Sequence, residues 1–211
     1  NGTQEDPNAF YRGRQITWAE LAEQKDVERP REYKMLDRII RHDLEERSAT
    51  RIMLYHSPGA GGTTLGRRVA FDLRREYPCV VLRSISEVTS EKFRALGTLT
   101  SHSILVLVEA SAVRSDSLER LYKTLRSENM PVVFLNLQRR PDLSGRDTER
   151  NVFLTDQLTE EEAVVFLDRY GRARPERRKA LRALPHNTAF LYGLTAFDED
   201  CENLAAYVRS L

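Results

Sequence analysis

With 211 residues, 40% of them hydrophobic and 31% charged, the chain has the balance of a globular fold and the length of one α/β domain with a small appendage. Its 33 basic and 32 acidic side chains leave a net charge of +1, which excludes a bulk field that recruits nucleic acid or an anionic membrane. No apolar run approaches the roughly 20 residues that span a bilayer and no signal peptide is visible, so a cytoplasmic setting is expected.

Residues 1–26 read as an N-terminal arm, extended over the domain and anchored by Phe10, Tyr11, Ile16, Trp18 and Leu21. From Val27 to Leu36 the pattern is that of an amphipathic helix start, with Leu36, Ile39 and Ile40 sharing a face. Four uninterrupted apolar runs follow, at 51–55, 79–83, 104–108 and 131–137, and a shorter one at 151–154 is expected to close the sheet edge. Continuous apolar runs suit strands covered on both faces. Helical patterns at 63–76, 90–96 and 115–128 separate them, so the series predicts a parallel sheet with right-handed crossovers over residues 27–155. Residues 138–150 are polar, punctuated by Pro141 and Gly145, and predict a loop.

Beyond 155 the period changes. Thr159 and Glu162 form a capping box ahead of AVVFLDRY, and further helices fit 174–183, 188–197 and 199–210. Residues 156–211 are therefore expected to form a small all-helical lid. Cys79 and Cys201 stand far apart in sequence and read as two reduced core thiols, the alternative being a disulfide. Starting on Asn1 and ending on an amphipathic segment, the chain is expected to be part of a longer protein.

The chemistry concentrates at His56-Ser-Pro-Gly-Ala-Gly-Gly-Thr-Thr64, between the first strand and its helix. This is nearly the phosphate loop G-x-x-x-x-G-K-[ST], with His56 in place of the first glycine and Gly62 in place of the lysine. Pro58, Gly59, Ala60, Gly61 and Gly62 keep what lets backbone amides wrap a phosphate, and the helix N-terminus adds partial positive charge. Thr63 holds the position whose hydroxyl reaches Mg²⁺, and Thr64 extends the first turn. The missing lysine removes a point cation from the β/γ-phosphates; putting it back at 62 is expected to tighten triphosphate binding. The competing reading is a glycine-rich turn with no ligand.

Glu109 ends the run 104–108, where such proteins keep an acid for Mg²⁺, but Ala110 follows where a water-activating Glu often stands. Glu109 is equally a carboxylate at an exposed strand end. Arg139, at the end of the run 131–137, is a candidate γ-phosphate sensor; the alternative is a solvated basic loop.

These pieces resemble the signal-transduction NTPases of the STAND group, which holds the NACHT and NB-ARC ATPases. The resemblance rests on Val27-x-Arg29…Glu32…Leu36, the loop 57–65, the acid-ended strand 104–109, the strand with Arg139, and Leu158-Thr-Glu-Glu-Glu-Ala163. Within that group GAGGTTL, Phe10-Tyr11-Arg12-Gly13…Trp18, PVVFLN and FLYGLTAFDED are similar to the NTPase region of sterile-alpha-motif-domain antiviral factors of animals and their bacterial relatives. The resemblance implies a multidomain defence protein with a nucleotide-regulated oligomerisation core. It implies that Val27 and Arg29 border a nucleotide pocket, and that Ala183-Leu184-Pro185 stands for a Gly-Leu-Pro that packs Pro185 on adenine.

Three functions remain open. The first is a switch module binding ATP or ADP with Mg²⁺, with slow or absent hydrolysis. The second is a pseudo-NTPase scaffold with an empty pocket. The third is a nucleic-acid module using the arginine clusters 67–68, 74–75, 139–140 and 172–178, which the balancing acids argue against.

Overall fold

Strands that are apolar on both sides need a layer of helices over each face, and the chain builds both layers. The computed structural model describes residues 9–12, 14–109, 112–140, 149–173 and 175. Strands β1 (Thr50–His56), β2 (Cys79–Leu82), β3 (Ile104–Val108), β4 (Val132–Arg139) and β5 (Asn151–Leu154) form one sheet in the order β2-β3-β4-β1-β5. Every pairing in it is parallel. Among the described residues the helices are α1 (Trp18–Ala22), α2 (Pro30–Glu45), α3 (Gly62–Leu73), α4 (Thr89–Thr100), α5 (Ser115–Ser127) and α6 (Glu160–Ala173).

The two-residue period of the strands divides the core. Ile52, Leu54, Leu105, Leu107 and Leu135 meet Leu36 and Ile40 of α2 and Leu65 and Val69 of α3 on one face. Ile104, Val106, Val132 and Phe134 meet Phe93 of α4 and Leu121 and Leu125 of α5 on the other. Gly66 lets α3 press onto the sheet, because a Cβ there would stand 2.7 Å from a methyl of Leu137. At the β1–β5 edge, Tyr55 and Phe153 are only half-buried and stack at 5.4 Å.

Several elements depart from the sequence reading. β4 runs on past residue 137: Gln138 and Arg139 pair with Tyr55 and His56, so Arg139 ends a strand rather than lying in a loop. The segment read as an extended arm holds a 3-10 turn at Ala9–Arg12 and helix α1. Thr17 caps α1 through a box with Glu20, Thr17 Oγ1 accepting from the Glu20 amide at 3.2 Å and Glu20 Oε2 from the Thr17 amide at 2.9 Å. Helix α3 stops at Leu73 rather than 76, and α4 runs on to Thr100 rather than ending at 96.

The Thr159–Glu162 box stands at the start of α6 as expected, with amide bonds of 2.9 and 3.3 Å. Phe166 and Tyr170 of α6 pack with Tyr11 into a third apolar cluster, against which Phe10 and Val27 lie. The helices expected at 174–183, 188–197 and 199–210, with Pro185 and Cys201, lie outside the described residues. Cys79 is a free thiol that burial pushes up to about 12, which keeps it inert.

Candidate functional site

The loop between β1 and α3 leaves the strand at His56 and turns through Ser57, whose carbonyl accepts from the Ala60 amide at 3.1 Å. Gly59 and Gly61 take φ of +76° and +87°, left-handed values that side chains rarely adopt. Gly61 caps α3 with no side-chain hydrogen bond, so the first amides of the helix have no side-chain acceptor at that position. Nothing lies within 4 Å of a Cβ built on Gly61. A loop of this shape, ahead of a twelve-residue helix, presents backbone donors and a helix dipole to an anion.

The two departures from the phosphate-loop pattern are in contact. The buried ring of His56 occupies the space beside Gly62, where an added Cβ would meet its Cγ and Cδ2 at 2.2 Å. His56 Nδ1 lies 3.1 Å from the Ser57 carbonyl, and the ring is neutral in the physiological range, because burial and then the Arg139 charge push its pKa down. The imidazole therefore supplies bulk rather than a cation.

The loop forms one wall of a cleft of about 570 Å³. Gly59, Ala60, Gly61, Gly62, Thr63, Thr64, Val27, Arg29 and Arg139 all line it, so those expected binding residues converge. Pro58 stands in the turn and is not among the lining residues, and Glu109 lies outside the cleft. Sequence reasoning missed the opposite walls: Tyr33 and Arg68 from α2 and α3, and Phe166 and Arg169 from α6. Arg68 donates to Asp26 Oδ2 at 2.8 Å and to the Leu21 carbonyl at 2.7 Å, while Tyr33 donates to Asp72 at 3.0 Å. A capping box in α1 and the arginines of α3 were the available signals, but their partners lie more than 40 residues away in sequence.

Arg29 is buried and acts as a clasp. Its Nε donates to Glu162 at 3.1 Å, and its terminal nitrogens donate to the carbonyls of Thr155 (3.2 Å) and Gln157 (3.1 Å) and, at 3.4 Å, of Ala60. One guanidinium thus joins the glycine loop, the chain leaving β5 and the first turn of α6. Arg169 of α6 completes the connection by donating to the Gln24 carbonyl at 2.7 Å.

On the metal side, Glu109 follows β3 as expected, but Arg67 of α3 donates to its carboxylate at 2.7 Å and to the Gln15 side chain at 3.2 Å. The volume and loop fit a nucleotide. The Glu109 carboxylate as placed is neutralised by a cation, and no cluster of three or more metal-binding His, Cys, Asp or Glu stands among the described residues. Among those residues, too, no helix is long and apolar enough to cross a membrane.

A parallel β2-β3-β4-β1-β5 sheet with a glycine loop between β1 and α3 defines a P-loop NTPase-like fold. The chain belongs to the family described as Novel STAND NTPase 5, which matches residues 8–151. It is similar to human sterile alpha motif domain-containing protein 9, at 27% identity over 74% of this chain and 12% of that protein. It is likewise similar to human sterile alpha motif domain-containing protein 9-like, at 28% identity over 90% of this chain and 13% of that one. The chain thus spans about an eighth of the length of these curated relatives. Among solved structures, PCH-2 of C. elegans is similar with a TM-score of 0.46 at 13% identity, covering 83% of this chain and 54% of that one. The RuvB motor of Thermotoga maritima gives 0.45 at 15% identity, over 71% and 52%.

Proposed function

We propose that this chain is the nucleotide-binding switch module of a larger cytoplasmic defence protein, antiviral or antiphage, or of a related signalling protein. It takes ATP or ADP with Mg²⁺ and hydrolyses slowly or not at all. The observation that carries this reading is the cleft of about 570 Å³ in which the glycine loop, Arg139 and α6 meet. The amides of Gly59–Thr64 and the α3 dipole hold the phosphates. Arg139, at the carboxyl end of β4, reads the terminal one. Arg29 carries the state of the loop to α6 through Ala60 and Glu162. Turnover is weak because Gly62 brings no ammonium and Ala110 no general base. Other domains of the parent chain, and a homo-oligomer formed there, are the partners that would read the switch; nucleic acid is not expected to bind through this chain.

Calorimetric titration with ATP and ADP, with and without Mg²⁺, tests it. Saturable heat for either nucleotide is expected. The absence of heat from a chain that melts cooperatively would leave the second reading, a nucleotide-free scaffold. The Arg67–Glu109 ion pair favours that alternative, since it neutralises the acid on the metal side.

A further inference from the structure

The amino ends of the strands carry a second cavity, of about 540 Å³, at the opposite end of the sheet from the glycine loop. β1 is seven residues long, so its two ends, and with them the two cavities, stand about 20 Å apart. Arg47, Arg51, Arg126 and Arg150 line this cavity with Tyr122 and Asn129, and no carboxylate is among its lining residues. The four guanidiniums come from four separate places: the turn after α2, the start of β1, the last turn of α5 and the approach to β5. Arg47 holds a left-handed φ of +51° at a helix end, where glycine is usual, and donates to the Ser101 carbonyl at 3.3 Å.

Two of these charges are balanced from behind. Glu119 accepts from Arg51 at 2.5 Å, and Asp43 accepts from Arg150 through two bonds of 2.9 and 3.0 Å. Such bonds fix the guanidinium forks without placing a carboxylate in the cavity. Arg47 and Arg126 have no carboxylate partner among the described residues. The Nε of Arg51 is buried and makes no hydrogen bond there, a donor left without an acceptor.

We propose that this cavity is an anion site for a compact small molecule carrying two or more closely spaced phosphate groups. Guanidinium forks from several directions match the bidentate geometry of phosphate oxygens. Its one aromatic ring, Tyr122, already has the Arg51 guanidinium 3.8 Å from its centroid, which closes one face of it to a base. A single half-covered ring is a poor stacking platform for a single-stranded nucleic acid, and a net charge of +1 provides no field to gather a long polyanion. The assignment is independent of what the glycine loop binds.

The test is titration of the 211-residue chain with sodium tripolyphosphate, in parallel with Arg47→Ser/Arg126→Ser and with Gly61→Val. Both arginines are exposed, so the double variant is expected to melt as the parent does. It should lose about tenfold or more in tripolyphosphate affinity at the second site. Gly61→Val strains the glycine loop at its φ of +87°; once melting shows the variant folded, it should retain that site, and the affinity should fall as salt rises. Binding that is unchanged in the arginine variant, or abolished by Gly61→Val alone, overturns the proposal. So does a chain that ignores tripolyphosphate but binds a 12-nucleotide RNA through the same arginines, which assigns the surface to nucleic acid instead.

Discussion

His56 and Gly62 are complementary in shape: the imidazole fills the volume that any side chain at 62 would need. The glycine at the loop's lysine position and the histidine six residues earlier therefore form one packing unit. Gly62→Lys alone, expected from sequence to tighten triphosphate binding, should instead overpack the loop, at about 1–3 kcal/mol of stability. His56→Gly/Gly62→Lys should recover that stability and bind ATP about tenfold to a hundredfold tighter than the parent, as one charge-assisted hydrogen bond allows. Thermal melts and ATP titration of both variants decide it; a stable, tight-binding Gly62→Lys single variant refutes the complementarity.

Turnover by the parent chain should stay below about 1 s⁻¹, under the range of ordinary enzymes. Arg67→Ala should leave it low while freeing Glu109. The measurable change is a stronger Mg²⁺ dependence of nucleotide affinity. If the parent and Arg67→Ala respond to Mg²⁺ identically, Glu109 has no part in metal binding.

Arg29→Met should destabilise strongly, by about 3–5 kcal/mol, because it leaves the buried Glu162 carboxylate without its cation. Arg29→Lys should recover little, since an ammonium cannot reach Thr155, Gln157 and Glu162 together. Urea unfolding gives the magnitude. Hydrogen exchange should show loss of protection first in α6; loss spread evenly over the sheet would mean that Arg29 does not clasp the two.

The depressed His56 pKa makes stability depend on pH. Burial holds the folded-state pKa below the ordinary value near 6.5, so the unfolded chain takes up the proton first. The contribution is complete above about pH 6.5 and is lost as pH falls through the folded pKa. Melting curves between pH 7.5 and 5.5 should fall more steeply for the parent than for His56→Gln. Parallel curves would mean that other groups carry the acid sensitivity.

The sheet was legible because each strand is built on a short, mostly apolar run set between polar, helix-patterned segments. β4 was read two residues short because Gln138 and Arg139 are polar; they extend the ladder beside Tyr55 and His56, where the strand ends open onto the cleft. α1 was missed although Thr17-Trp-Ala-Glu20 spells the same capping box that correctly placed α6, because five residues are too few to show a period. Within the site, the loop residues announce themselves by type and spacing. Arg67 and Arg68 do not, since each is defined by a partner far away in sequence, and only the fold makes those pairs neighbours; Arg29 was placed at the pocket by the family resemblance, but not its bond to Glu162.

Tyr11, near one end of the described chain, and Tyr170, near the other, meet edge-to-face at 6.0 Å. The match to the family model ends at residue 151, before α6 begins. An excision made at that boundary would strip Phe166 and Tyr170 from Tyr11, take Glu162 from Arg29 and leave a buried aromatic cluster open to water. Such a fragment would keep β1 to β4 and the whole glycine loop, yet lose the edge strand β5 and expose a sticky patch beside its own cleft. Any piece that behaves as a unit therefore has to include at least the span from the Phe10 turn to the end of α6, and recombination or splice sites between those limits would be tolerated poorly.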